Sequence, residues 1–277
     1  MNKIRLIVCD IDGTLTRDGT IYPSQYTLQV IERLHQSGIM FGLASGRGVE
    51  QLRSLKDEWG LSFDFDIVIG LNGSEYFDLK ENKTHRLYEL SCNDIRDIIT
   101  KMLDKYPDLN CSIYSNGRRM LRYEDEMAVN SKKRTKMDNY IVKDLSEMWQ
   151  KPCSKVMFRV SEEVMKKIEP LATEISNEHY RSCKTQTTMM EFVHAQANKG
   201  AALRKYCAAN NIELQEVAAF GDMYNDNELL ETAGLGVCMI NGADITKSYA
   251  DDISDKTNNE DGCADYIEKY ILSARQG

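Results

Sequence analysis

Apolar and polar positions along the first 70 residues alternate between short apolar runs, which are typical of strands, and stretches with the spacing of helices. Residues 4–9 form a nearly continuous apolar run that ends at Asp10, which is typical of a strand buried on both faces of a parallel sheet. The same reasoning predicts a helix from Ser24 to a stop at Ser37-Gly38, a strand over 39–44, a helix over 49–59 and a strand over 67–69. This order of strands and helices predicts a doubly wound α/β domain.

The pattern changes between residues 88 and 191. Helical stretches over 93–105 and 161–177 alternate there with isolated strand candidates over 111–114, 156–160 and 189–193. The parallel-sheet pattern then resumes with a helix over 199–210, a strand over 217–220, a helix over 225–232 and a strand over 235–240. We therefore predict a discontinuous core domain of residues 1–87 and 192–277, with an inserted α/β domain over 88–191.

The charge balance narrows the classes of partner. The chain has 277 residues, 42% of them apolar and 28% charged, with a formal net charge of −8. A nucleic-acid partner is disfavoured, because phosphate backbones bind to basic surfaces. An excess of carboxylates suits a divalent cation better, although solvated surface accounts for most acidic charge.

The cysteines and the absence of long apolar segments indicate a cellular location. Eight cysteines occur without a C-x-x-C pair and apart from the four histidines, which indicates reduced thiols. No stretch approaches the roughly 18 uninterrupted apolar residues of a membrane span, and the first residues lead into a strand, not into a signal-peptide apolar region. We expect a cytoplasmic protein without a membrane partner.

Polar groups lie where open α/β sheets form their ligand sites, outside the carboxyl ends of strands. Asp10 and Asp12 flank one residue at the end of the first strand, and two such carboxylates repel unless a cation or a shared proton compensates them. Ser45 and Gly46 follow the second strand, where a hydroxyl and backbone N–H groups at a strand-to-helix turn make an anion site. Each feature on its own is also compatible with an ordinary turn.

Two later segments add complementary groups. Lys199 begins a predicted helix, where the macrodipole disfavours a cation, so a nearby anion would explain it; the alternative is a solvated lysine. Asp222, Asn225 and Asp226 follow a later strand and offer the oxygen ligands that a hard cation prefers, with a helix cap as the alternative. Together with Ser45, Lys199 would neutralise phosphoryl oxygens that the cation does not reach.

These residues form a signature. It consists of Asp-x-Asp-Gly-Thr from Asp10, Ser-Gly-Arg from Ser45, the helix-opening Lys199 and Gly-Asp-x-x-Asn-Asp from Gly221. The signature resembles that of the haloacid dehalogenase-like phosphatases and, more narrowly, of the Cof-type branch of subfamily IIB, whose α/β cap is inserted between the second and third motifs. The resemblance implies a Rossmann-like, doubly wound core with an inserted α/β cap.

The resemblance also implies roles for the site residues. Asp10 would be the nucleophile, and Asp12 the general acid/base that protonates the leaving alcohol and then activates water. The cofactor would be Mg²⁺, held by the Asp10 carboxylate, the Asp12 backbone carbonyl and Asp222, with Asp226 either a further direct ligand or a residue that contacts those ligands. The groups that bind the phosphoryl group would be Ser45, Gly46, Lys199 and Asn225.

The expected activity is hydrolysis of small phosphomonoesters, sugar phosphates or related metabolites, through an aspartyl-phosphate. A phosphomutase of the same superfamily and a non-catalytic phospho-acceptor module are the alternatives, and a haloalkanoate dehalogenase is less favoured because it needs no metal cluster. The expected partner is a small phosphorylated metabolite. Within the inserted domain, residues 115–119 and 185–190 are candidate specificity loops or, equally, solvated surface.

Overall fold

A computed structural model describes residues 4–115, 118–135 and 138–273 of the chain. The chain divides into two compact units, which are residues 1–87 with 197–277 and residues 88–196. The predicted boundary between 191 and 192 falls inside a strand, Met189–His194. Because that strand pairs along its length with its neighbours in the smaller unit, the chain returns to the larger unit only at Ala197.

The helices and strands follow one another as follows. The first segment contains β1 (Leu6–Cys9), α1 (Gln25–Gln36), β2 (Met40–Ala44), α2 (Val49–Trp59), β3 (Ile67–Gly70), β4 (Glu75–Asp78) and β5 (Lys83–Arg86). The smaller unit contains α3 (Cys92–Lys105), β6 (Cys111–Ser115), β7 (Arg118–Leu121), α4 (Glu126–Thr135), β8 (Asn139–Ile141), β9 (Lys155–Arg159), α5 (Glu162–Ile175), β10 (Tyr180–Gln186) and β11 (Met189–His194). The last segment contains α6 (Lys199–Asn210), β12 (Val217–Gly221), α7 (Asn227–Thr232), β13 (Leu235–Cys238), α8 (Asp244–Lys247), β14 (Asp252–Ile253) and α9 (Gly262–Tyr266).

The described strands of the larger unit form one sheet in the order β14-β13-β12-β1-β2-β3-β4-β5. The pairs from β14 to β3 are parallel, and β4 and β5 extend the sheet as antiparallel strands. Since β1 lies between β12 and β2 in parallel register, the residues that follow these three strands leave the same edge of the sheet. Those residues include Asp10, Ser45 and Asp222.

Helices cover both faces of this sheet, because successive side chains of a strand point to opposite faces. Ile7 and Cys9 of β1 belong to an apolar cluster with residues of α1, α2 and α9. Leu6 and Val8 belong to a second cluster with residues of α6 and α7. Burial on both faces explains the nearly continuous apolar run of residues 4–9, and the predicted doubly wound α/β class is confirmed.

The described strands of the smaller unit form a separate sheet in the order β10-β11-β9-β6-β7-β8. Its pairs are antiparallel except for β7 with β8. Residues of α3 and α5 pack in one apolar cluster with alternate residues of the sheet, such as Val156 and Phe158 of β9. This unit is an α/β domain inserted into the chain of the larger one.

Several elements were not predicted from the sequence. These are the β4–β5 hairpin, β7, α4, β8, β10, α8, β14 and α9. They are short, half-exposed or highly charged, so their apolar positions have no clear period. In the described part of the chain, no helix has the length and apolar character needed to cross a membrane.

Candidate active site

Lys199 lies at the centre of the site although it is a charged residue with no solvent exposure. It is the first residue of α6, which Asn198 caps by accepting a hydrogen bond from Ala201 N. Its Nζ donates to Asp10 Oδ1 at 2.6 Å and to Asp226 Oδ1 at 2.5 Å. The two anions offset both the cost of burying an ammonium group and its unfavourable position at a helix N-terminus.

Asp10, Asp222 and Asp226 form a buried cluster of carboxylates. Each offers an oxygen, and these oxygens lie within 4.8 Å of one another. Asp226 uses both oxygens, since its Oδ2 accepts from the backbone N–H groups of Asp222 and Met223 at 3.1 and 3.2 Å. Within the described residues, Asp10 and Asp222 each accept a hydrogen bond from one side chain only, Lys199 and Thr14 respectively.

The charges of the cluster are unbalanced, because three carboxylates face one ammonium group. Burial raises the pKa of Asp10 well above its usual value, and the charge of Lys199 opposes that rise. Burial, followed by the charge of Asp226, raises the pKa of Asp222 to about 7. Burial by itself would lower the pKa of Lys199, but the charges of Asp10 and Asp226 outweigh it and raise that pKa.

This imbalance is the observation that fits a bound cation. Ionised carboxylates crowded in a buried site stabilise one another only through a counter-charge, and oxygen donors are the ligands of hard divalent ions. Asp10 and Asp222 each accept one hydrogen bond from a side chain, through one carboxylate oxygen. Asp226 accepts hydrogen bonds at both of its carboxylate oxygens. The cluster could therefore hold a metal ion through Asp10 and Asp222. Asp226 is better suited to fixing the position of Lys199 and the conformation of the loop that carries Asp222.

Gly13 allows the loop after β1 to approach this cluster. Its φ is +87°, and a Cβ atom at this position would lie 2.4 Å from Asp222 Oδ2. Only glycine combines that backbone conformation with so close an approach. The next residue, Thr14, donates its hydroxyl to Asp222 Oδ1 at 3.0 Å, which joins the first and last motifs.

Asp12 lies outside the buried cluster. Its side chain is 61% exposed and is held by Arg47, whose Nη2 donates to the two carboxylate oxygens at 2.7 and 2.8 Å. The sequence did not single out Arg47 as a catalytic residue. The contact joins the turn after β1 to the turn after β2 and leaves one face of the Asp12 carboxylate open to solvent.

Ser45, Gly46 and Asn225 lie at the same edge of the sheet, on either side of Asn72. Ser45 is buried, and its Oγ accepts from Arg47 N at 3.4 Å. Asn225 donates from Nδ2 to Asn72 Oδ1 at 3.2 Å. A Cβ atom at Gly46 would lie 3.3 Å from Asn72 Nδ2. The side chain of Asn72 therefore lies between the turn of Ser45 and Gly46 and the segment of Asn225.

The structure thus connects all four sequence motifs, adds Asn72 to them, and shows that Arg47 of the second motif holds Asp12. The signals available for these two were weak, since Asn72 precedes Gly73 in what reads as a turn and Arg47 follows a Ser-Gly turn. Of the candidate specificity loops, residues 116–117 lie outside the described part of the chain, and 185–190 span the connection between β10 and β11.

The chain was compared with known proteins. The haloacid dehalogenase-like hydrolase family matches residues 7–267. Among curated relatives, the chain is similar to two phosphatases of Bacillus subtilis named for 5-amino-6-(5-phospho-D-ribitylamino)uracil. It is 26% identical to YitU over 97% of this chain and 98% of the relative, and 30% identical to YcsE over 97% and 96%.

Solved structures share the fold. A crystal structure from Thermotoga maritima superimposes with a TM-score of 0.82 at 24% identity, covering 96% of this chain and 97% of that one. A haloacid dehalogenase-like hydrolase from Bacteroides thetaiotaomicron superimposes with a TM-score of 0.81 at 25% identity, covering 96% of this chain and 99% of that one. The chain therefore belongs to the haloacid dehalogenase-like hydrolases, which confirms the predicted family and the predicted enzyme class, a phosphoric monoester hydrolase.

Proposed function

We propose that this protein is a Mg²⁺-dependent phosphatase that hydrolyses small phosphomonoesters, sugar phosphates or related metabolites, through an aspartyl-phosphate on Asp10. The observation that carries the proposal is the buried cluster in which Asp10 contacts Lys199 beside Asp222 and Asp226. A buried carboxylate next to a fixed ammonium group and a cation site suits attack on an anionic phosphorus centre, because the surrounding charges offset the repulsion between nucleophile and substrate.

The first step is attack by a carboxylate oxygen of Asp10 on phosphorus. A bond forms between that oxygen and phosphorus, and the bond from phosphorus to the ester oxygen breaks. The leaving alkoxide takes a proton from Asp12, which is the exposed carboxyl group of the site. In the second step Asp12 accepts a proton from water, the water oxygen attacks phosphorus, and Asp10 is released as a carboxylate.

Mg²⁺ would be held by Asp10, the Asp12 backbone carbonyl and Asp222, with Asp226 beside them. When bound, the ion supplies positive charge to the phosphoryl oxygens and lowers the repulsion among the carboxylates. Asp226 accepts hydrogen bonds from the backbone N–H groups of Asp222 and Met223. It therefore orients the carboxylate of Asp222.

The phosphoryl group would be bound by Ser45, Gly46, Lys199 and Asn225. Lys199 provides a charge that is fixed by two ion pairs and excluded from water. The hydroxyl of Ser45 and the backbone N–H of Gly46 come from the turn before α2, where helix N-termini favour anions. Such donors need no rearrangement as charge develops during the reaction.

The relatives suggest where to look for the substrate. Two are named as phosphatases of a phosphorylated ribitylaminouracil, and a fold neighbour at 19% identity is described as a subclass IIB sugar phosphatase. We extend to this chain the shared chemistry, a phosphate monoester on a polyhydroxylated metabolite. The eight cysteines, which form no disulfide in the part of the chain that the structure describes, are consistent with a cytoplasmic location.

A phosphate-release screen tests the proposal. Sugar phosphates and the phosphorylated ribitylaminouracil are assayed with Mg²⁺ or with a chelator, using the wild type, Asp10→Asn and Asp66→Asn. Asp66 is a matched control, because it lies before β3, where its Oδ2 accepts from Phe41 N. We expect release that requires Mg²⁺, is lost in Asp10→Asn and persists in Asp66→Asn.

Three outcomes would overturn this proposal. Full activity of Asp10→Asn would exclude Asp10 as the nucleophile. Quantitative isomerisation of a sugar phosphate without release of inorganic phosphate would assign a phosphomutase. A stable phosphoprotein without turnover would assign a phospho-acceptor module.

A further inference from the structure

Asn72 lies at the junction of three of the motifs, although the expected site does not include it. It follows β3 in the turn Leu71–Gly73. Its backbone N–H donates to Ser45 O at 3.0 Å, and the N–H of Leu71 donates to Arg47 O at 2.8 Å. The turn after β3 is therefore joined by backbone hydrogen bonds to the turn that carries Ser45 and Gly46.

The same turn is pressed against the beginning of α6. Gly73 has a φ of +94°, and a Cβ atom at this position would lie 2.0 Å from the backbone oxygen of Asn198. Asn198 caps the helix whose first residue is Lys199. The position of the turn is consequently fixed against the segment that places Lys199.

The backbone of Asn72 is left-handed, with φ 53° and ψ 34°. Asparagine tolerates this conformation better than most residues, because its short polar side chain can form local hydrogen bonds. The residue is 7% exposed. Its amide packs between Gly46 and Asn225, with Oδ1 accepting from Asn225 Nδ2 at 3.2 Å.

We propose that Asn72 is a positioning residue for the phosphoryl group, an inference that rests on the proposed function. By accepting one N–H of the Asn225 amide, Asn72 fixes the orientation of that amide and leaves its second N–H for a phosphoryl oxygen. By packing against Gly46, it also keeps the turn after β2 at a fixed distance from Asn225. Asn72 thus links the two segments that would hold opposite sides of the same anion.

The test measures binding of inorganic phosphate in the presence of Mg²⁺ by calorimetry. Asn72→Gly removes the amide and keeps a residue suited to the left-handed backbone. Asn82→Gly is the matched control, because Asn82 also has a left-handed φ, of 50°, but lies exposed in the turn between β4 and β5. We expect Asn72→Gly to raise the dissociation constant of phosphate about tenfold, as for loss of one buried hydrogen bond, and Asn82→Gly to leave it unchanged.

A double-mutant cycle tests whether Asn72 acts through Asn225. In an Asn225→Ala background, Asn72→Gly should change the dissociation constant of phosphate less than about twofold, because coupled residues are not additive. Asn72→Asp keeps the acceptor oxygen and adds a negative charge, so we expect it to weaken phosphate binding more than Asn72→Gly does.

The outcomes separate this inference from the proposed function. If Asn72→Gly binds phosphate as the wild type does, or if its effect is the same with and without Asn225, the positioning role is wrong. Asn72→Asp binding phosphate as tightly as the wild type would also contradict it. If instead the wild type neither binds phosphate nor hydrolyses any phosphomonoester with Mg²⁺, the proposed function itself fails.

Discussion

Each of the two units buries a lysine against acidic side chains, and the two lysines differ in how their charge is balanced. In the smaller unit, Lys155 of β9 pairs with Glu191 of β11 at 2.7 Å, and the two side chains are 8% and 5% exposed. In the larger unit, Lys199 is fully buried and contacts both Asp10 and Asp226. One site holds equal and opposite charges, and the other holds more negative charge than its lysine neutralises.

This difference distinguishes a structural ion pair from a binding site. Burial by itself would lower the pKa of Lys155, but the charge and hydrogen bond of Glu191, together with Tyr114 and Cys183, raise that pKa, so the lysine stays charged without a further ion. Burial, followed by the charge of Asp226, raises the pKa of Asp222 to about 7, which indicates that a further cation is needed to keep the carboxylates ionised. Burial of a lysine alone therefore does not indicate function.

Replacing the two lysines should have different consequences, and the largest expected effect is on catalysis. Lys199→Met should lower kcat by at least about a thousandfold, because it removes a fixed charge from the site of charge development. Lys155→Met removes a cation of the same kind from a balanced pair and serves as the comparison. Steady-state kinetics on the best substrate of the screen measures kcat of both variants. A Lys199→Met enzyme with wild-type kcat would show that the charge of Lys199 has no part in the reaction.

The balanced pair should affect stability. Lys155→Met should destabilise the smaller unit by about 3 to 5 kcal/mol, because it leaves Glu191 buried without a partner. Lys155→Met combined with Glu191→Leu should restore most of that loss. A double variant no more stable than the single one would show that the uncompensated charge of Glu191 is not the cause.

The sequence provides a probe for this measurement. Its two tryptophans are Trp59 in α2 of the larger unit and Trp149 in the smaller one. In a Trp59→Phe background, the fluorescence of Trp149 therefore follows denaturant unfolding of the smaller unit alone. Keeping that background in every variant makes the comparison independent of the effect of the Phe substitution.

Gly13 allows the unbalanced cluster to be disturbed without changing any charge. Gly13→Ala should lower kcat about 10- to 100-fold, because the new methyl group would displace Asp222 and such misplacement is costly. Gly19→Ala is the control for backbone strain, since Gly19 has a φ of +76° but no atom within 4 Å of the place that its new methyl group would occupy. Equal kinetic effects of the two substitutions would attribute the loss to strain.

The smallest expected effect is a pH dependence of stability. Because the folded pKa values of Asp10 and Asp222 are raised, the folded protein retains protons that the unfolded chain releases near pH 4. Without metal, the free energy of unfolding should fall as pH rises from about 4 to about 7. Saturating Mg²⁺ should flatten this slope, as measured by thermal unfolding at several pH values. The same slope with and without Mg²⁺ would argue against a cation at the cluster.

Much of the site could be predicted from the sequence, because it depends on local order along the chain. The apolar run ending at Asp10 and the turn after β2 follow from strand and turn patterns of a few residues. Lys199 at a helix start and the acidic residues after β12 are equally local. The inserted unit was harder, because β7 and β8 are only four and three residues long, α4 is highly charged, and the predicted boundary at 191/192 falls within β11.

The sequence by itself determined which chemical groups this protein brings to the edge of a parallel sheet. Only the tertiary structure decided their partners: Lys199 contacts Asp10 from 189 positions away, Arg47 holds Asp12, and Asn72 contacts Asn225. The sequence likewise did not indicate that Lys155 and Glu191 neutralise each other on neighbouring strands. Local patterns fix where strands and turns begin and end, whereas the distances between side chains depend on strand order, register and packing across the whole domain.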